Sequence, residues 1–210
     1  MTDLALFLPG IVAAYAILLV AAASPGPSVA LLLGVGAAQG RAAALATTAG
    51  IASGGVLLNA LTLAGVGLIL EQAAWAMTGL RLIGAGYLAW LAYGAFRKAA
   101  GPAPLKPADV QPRSPRANFA TGFALQATNP KAIVFWIAIH AVSGVALAPA
   151  PLIAAFFVGA FVISFVCHGA WAVLFSSTTF RAGYARARRW IEGALGTFLT
   201  VMAVRLAVDR

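Results

Sequence analysis

The sequence predicts an all-α integral membrane protein of six transmembrane helices, and three observations predict it. The 210 residues are 62% hydrophobic and 9% charged, with a mean hydropathy of +0.93, far more apolar than an ordinary soluble domain. The apolar residues fall into runs close to the ~20 residues that a bilayer-spanning helix needs, with room for roughly six. The fourteen Lys and Arg residues sit mostly between those runs. That distribution marks the loops of a membrane protein rather than a nucleic-acid surface, despite the net charge of +9.

In chain order, span one covers about residues 4–23. Ala21-Ala22-Ala23 imitates a signal-peptidase site, but the run lacks a basic n-region and exceeds a typical h-region of about 7–15 residues, so it reads as a permanent span. A helix-breaking stretch, Ser24-Pro25-Gly26-Pro27, separates it from a short apolar piece that ends at Gln39-Gly40-Arg41. Span two runs over 42–70 and closes at Glu71. Its Gly50 and Gly54, four apart, have the spacing that lets helix backbones approach closely. Span three covers 73–96, and residues 97–116 form a basic, proline-rich linker that reads as an extended loop. Span four, 119–142, is interrupted by Asn129-Pro130-Lys131. Span five covers 152–175 and span six 190–208, with Arg181, Arg186, Arg188 and Arg189 in the connection between them.

Basic residues follow spans one, three and five and are absent after spans two and four, so the positive-inside rule puts both termini on the outer, periplasmic side. A weak internal repeat aligns Arg81 with Arg189, Gly50 with Gly159, Asn59 with His168 and Pro25 with Pro130. Three spans per half is an odd number, so the halves have opposite topology. The expectation is a single transmembrane domain over 1–210 made of two inverted three-helix repeats with broken first helices: repeat one over about 4–98, a linker over 99–116 and repeat two over about 117–208.

The breaks carry the candidate site. Ser24 and Asn129 are cap-type residues ahead of prolines, and proline tolerates the first helical turn, so each break predicts the start of a half-helix. Unpaired N–H groups and the positive dipole end at such a start suit an anionic group, which points to a carrier's substrate site. Ser24, Pro25, Gly26, Pro27, Asn129, Pro130 and Lys131 are therefore the candidate binding residues. Lys131, costly to bury in an apolar run, is the group expected to hold a carboxylate. Asn59 is expected to line the cavity from the other half, and His168, deep in span five, is the candidate proton relay. His140 reads as interfacial, and Glu192 as half of a surface ion pair with Arg188. Trp75, Trp90, Trp136, Trp171 and Trp190 include candidates for an interface belt.

Ser24-Pro25-Gly26-Pro27, the glycines Gly36, Gly40, Gly50 and Gly54, the stretch Gly84-Ala85-Gly86-Tyr87-Leu88 and Asn129-Pro130-Lys131-Ala132, in this order, resemble the LysE/RhtB amino-acid exporter family. The resemblance covers nearly the whole chain. It implies a six-span carrier of the bacterial cytoplasmic (inner) membrane, exporting amino acids at the expense of the proton gradient, with no cofactor. One departure stands out: where many relatives carry a charged residue in the second span, this chain continues Gly55-Val56-Leu57-Leu58-Asn59. With an apolar lining and no deep carboxylate to pair a cationic side chain, the expected substrates are neutral, of the leucine, threonine or homoserine class. The glycine-rich faces would allow a homodimer.

Three rival readings are open. A carrier of another small solute or of a metal cation is one, although metal transport wants a cluster of His, Cys or carboxylate ligands and the chain has the single cysteine Cys167. An intramembrane serine enzyme built on Ser53 and His168 lacks a Gly-x-Ser-Gly motif, because position 51 is Ile. A membrane protein that binds a solute without moving it is the third.

Overall fold

The computed structural model describes the backbone of residues 2–72, 74–101 and 113–208 and the side chains of residues 5–65, 79, 82–101 and 113–208. Most of the predicted linker and the side chains of Glu71, Trp75 and Arg81 lie outside the described residues. Within them the chain is helical: α1 Thr2–Ala23, α2 Pro27–Gln72, α3 Ala74–Ala100, α4 Pro115–Ala127, α5 Pro130–Ser143, α6 Ala150–Phe175 and α7 Thr178–Val208, with one 3₁₀ turn at Val145–Leu147.

Local sequence accounts for the boundaries. Gly40 has φ 81° and ψ −173°, a conformation open to glycine, and it divides α2 into a short arm over 27–39 and a long arm over 41–72. Ser114 starts α4 by accepting the Ala117 N–H, and Asn129 starts α5 by accepting the Lys131 N–H at 3.1 Å, each ahead of a proline in the first turn. At its other end α5 closes on Gly144 in the left-handed conformation.

Two predicted connections are helical instead. Arg97 and Lys98 belong to the last turn of α3. Helix α7 begins at Thr178 rather than near Trp190, so the arginines 181, 186, 188 and 189 ride on its first turns. Arginine is a good helix former, and Arg181 Nη1 also donates to the Phe175 carbonyl at 2.6 Å, closing the end of α6.

The molecule is apolar outside as well as inside. Val158, Val166, Leu6 and Trp190 are all more than half exposed, as suits helices solvated by lipid tails. Among the described residues four stretches are long and apolar enough to cross a bilayer: Ala5–Ala23, Pro27–Gly65, Ala150–Phe175 and Thr178–Val208. Helices α4 and α5, of 13 and 14 residues, rise only about 20 Å each at 1.5 Å per residue and are too short to span alone. Helix α5 is the centre of the bundle, with Phe135, Trp136, Ala138, Ile139 and His140 all buried, and it contacts α1 to α4.

The long arm of α2 lies backbone to backbone against α4. A Cβ on Gly50 would overlap the Phe119 carbonyl oxygen, and one on Gly122 would overlap that of Thr47. Gly54 is less tightly placed, but a Cβ there would still press on the Phe123 carbonyl oxygen. The small-residue face predicted on span two at Gly50 and Gly54 is therefore packed against α4.

Two further expectations are corrected. His140 is buried, with its ring against those of Trp136 and Phe156 and its Nε2 donating to the Asn59 carbonyl at 3.2 Å. It is placed by the packing of α5 on α2 and is not interfacial. Trp136 is buried as well, whereas Trp90 and Trp190 are exposed.

Candidate functional site

The two breaks meet. Lys131, one residue into α5, reaches across to the end of α1, where its ammonium donates to Ser24 Oγ and to the carbonyls of Ser24 at 3.2 Å and Ala21 at 3.4 Å. Those carbonyls lie in the last turn of α1 and at the residue after it, where acceptors lack backbone donors of the helix, so a cation there satisfies both the hydrogen bonds and the negative dipole end. The Lys131 ammonium also lies 5.8 Å from the centre of the Phe135 ring. Gly26 faces the amine closely: a Cβ at that position would stand 3.1 Å from Lys131 Nζ.

Ser24 differs from its sequence reading. Its hydroxyl donates to the Ala21 carbonyl at 2.8 Å, turned back onto α1, and it does not cap the following helix. Pro25 ends α1 and Pro27 occupies the first turn of α2, so the capping position falls to Gly26, whose carbonyl accepts from Ala30 at 2.9 Å. A second link joins the breaks: Ser28, in the first turn of α2, donates to Gln126 Oε1 of α4 at 2.8 Å, both side chains being buried.

Two cavities share this junction as a common wall, because Ser24, Gly26, Pro27, Asn129 and Lys131 line both. The smaller, about 40 Å³, lies among α1, α4, α5 and α6 and is bounded by Leu18, Gln126, Trp136, Ile139, Ser164 and His168. The larger, about 360 Å³, opens between α3 and α7 and adds Pro25, Pro130, Tyr87, Lys98, Glu192 and Leu195. Eight of the nine residues singled out from sequence thus converge on one place. The link from Lys131 to Ser24 lies in the lining that the two spaces share.

His168 is held by its own helix. Its Nδ1 is 2.9 Å from the Ser164 carbonyl, which can only accept, so Nδ1 carries a proton and donates it there, and the residue lines the smaller cavity. Asn59 is the predicted residue that the fold leaves out. It is wholly buried one turn beyond Gly55, in a seam against Trp136 and Ser164 too narrow for a water, and neither side-chain polar atom has a partner. The reason is helical phase: Gly55, four residues earlier, faces the smaller cavity, and Asn59 sits a turn farther along the same face, where α5 and α6 have closed.

Glu192 is the largest correction. It is 1% exposed, lies in the wall of the larger cavity and pairs with Arg188 at 3.7 Å; it is not a surface ion pair. A deep carboxylate is therefore present after all. The spacing from Arg188 gave the pair, and the apolar stretch that follows Glu192 was the signal for its burial. Ser28, Gln126 and Ser164 were equally legible as polar residues inside apolar runs, near a break or one turn from His168.

Known proteins align with the chain over most of its length. A family model described as LysE type translocator matches residues 19–210. The threonine efflux protein of Escherichia coli (strain K12) is 28% identical over 210 aligned residues, covering 91% of this chain and 94% of that protein. The threonine efflux protein of Salmonella typhi is 28% identical over 203 residues, with the same shares covered. No solved structure matches significantly.

Proposed function

This chain belongs to the LysE type translocator family, a transporter and not an enzyme, and from that premise we propose that it exports a small neutral amino acid, threonine first among candidates, across the bacterial cytoplasmic membrane. The amino-acid class is favoured by the relatives named threonine efflux proteins. The observation that carries the reading is the convergence of both helix breaks on one pair of cavities, with the cationic side chain of Lys131 lining both.

In this reading the substrate carboxylate takes the place of the Ser24 acceptors on the Lys131 ammonium, next to the N–H groups of the first turns of α2 and α5. A carboxylate in that position replaces the neutral acceptors of the Lys131 ammonium with an anionic one, so that both partners of the bond are charged. Breaking the link from Lys131 to Ser24 opens the wall, so binding and passage are coupled in one contact. The side chain of a neutral amino acid meets Leu18, Phe135, Trp136 and Ile139 in the smaller cavity, an apolar surface that repays no charge.

Alternating access would come from two inverted repeats rocking about this centre. Their correspondence pairs α1 and the short arm of α2 with α4 and α5, the long arm with α6, and α3 with α7. Packing is consistent with it: α3 meets α7, the long arm meets α6, and the packing of α2 on α4 has its counterpart in that of α1 on α6. The basic ends of α3 and α7 would face the cytoplasm, with both termini outside. His168, which lines the smaller cavity, is the proposed proton relay.

The test is efflux of radiolabelled L-threonine, and of other amino acids one at a time, from preloaded vesicles containing the purified protein. Wild type is expected to release a neutral amino acid, and Lys131→Ala and the Pro25→Ala/Pro130→Ala pair to lose that release. A well-inserted wild type that moves no amino acid would overturn the assignment.

A further inference from the structure

We propose that Glu192 is the group that recognises the substrate's ammonium, so that the larger cavity reads an α-amino acid by both of its head charges. The proposal rests on the amino-acid reading above. Glu192 is the one carboxylate whose side chain is described, it is 1% exposed, and it faces the cavity that Lys131 and both breaks also line. A buried carboxylate is costly to keep unless charge and hydrogen bonds compensate it. Arg188 supplies the charge, but at 3.7 Å from Oε1 it lies beyond hydrogen-bond range, and Oε1 has no hydrogen-bond partner.

The carboxylate is thus electrically balanced and still able to accept N–H donors, which is what an ammonium with three donors supplies. Tyr87 and Trp90, on α3, line the same cavity and bring to it aromatic rings, whose faces attract cations. Position along the chain matters too: Glu192 enters from α7 and Lys131 from α5, so the two charges sit on different elements with the cavity between them. A zwitterion engages Glu192 as well as Lys131, whereas a simple carboxylic acid has only the cavity's cations, Lys131 and Lys98, to engage. Discrimination against acids that lack the amine follows from this arrangement.

The experiment compares L-threonine with 3-hydroxybutanoate, the same molecule without its amine, by equilibrium binding to the purified full chain in liposomes. Wild type is expected to favour threonine by at least about tenfold, the scale of one charge-assisted hydrogen bond. Glu192→Gln should erase that preference by weakening threonine alone, while Lys131→Met weakens both compounds. A Glu192→Gln protein that keeps the wild-type preference overturns the inference and leaves the transporter reading intact; a wild type that binds neither compound overturns both. Should the variant fail to fold, wild type alone decides the matter. Modification of Glu192 by a hydrophobic carbodiimide, followed by mass spectrometry, is expected to be slowed by threonine and not by 3-hydroxybutanoate. Equal rates with and without threonine would refute the assignment.

Discussion

Gly26→Ala isolates the role of Lys131 with the least damage to the fold. Gly26 lies outside the left-handed region, where the described glycines with positive φ are Gly40 and Gly144, so alanine fits its backbone. The new methyl would stand 3.1 Å from Lys131 Nζ and 3.4 Å from its Cδ, both at the flexible end of a side chain, and the amine must yield by a few tenths of an ångström. Its contact with the Ala21 carbonyl, already 3.4 Å, then passes beyond hydrogen-bond range. Losing that weak bond costs about 0.5–1.5 kcal/mol, and the reduced freedom of the unfolded chain returns about 0.4–1 kcal/mol, so stability stays near that of wild type. Substrate binding is not shielded in this way, because a displaced amine loses part of a charge-assisted bond of about 1.5–3 kcal/mol, raising KM for efflux by roughly tenfold. Thermal unfolding in detergent and efflux kinetics from vesicles measure the two quantities separately. An unchanged KM in a well-folded Gly26→Ala protein would refute the placement of the substrate carboxylate on Lys131.

Three other perturbations separate fold from function. Gly50→Ala drives a methyl into the α4 backbone, and the overpacking of about 1–3 kcal/mol outweighs the roughly 1 kcal/mol gained in helix propensity, so Tm falls; Gly86→Ala, with open space at its Cβ, leaves Tm unchanged or higher. Asn59→Leu removes two buried polar atoms that have no partner, and in detergent melting it is expected to be neutral or stabilising by up to about 2 kcal/mol, with efflux retained. A loss of efflux in a stable Asn59→Leu protein would return Asn59 to the transport path. His168→Phe is expected to abolish stimulation of efflux by an imposed proton gradient while leaving substrate-for-substrate exchange in place, and equal stimulation in variant and wild type would remove His168 from the relay.

Much of this architecture was readable from the chain, because its causes are local. Whether a run can span lipid depends on its own length and polarity, and a break at Asn129-Pro130 depends on a missing N–H and a neighbouring cap, so helices and breaks were legible residue by residue. The long polar segments were less so: arginines 181 to 189 looked like a loop because charge suggests solvent, yet arginine also favours helix, and α7 absorbed them.

What the sequence by itself determined is therefore the class of the protein, its helical runs and the two interruptions that mark its centre. Tertiary structure alone decided which polar residues face that centre. Helical phase and the closure of neighbouring helices leave Asn59 sealed in a dry seam, turn Ser24 back onto α1, bury His140 against Asn59 and place Glu192 on the wall of the larger cavity. Each of these outcomes depends on what another helix, far away in the chain, brings against the residue, and no local pattern carries that information.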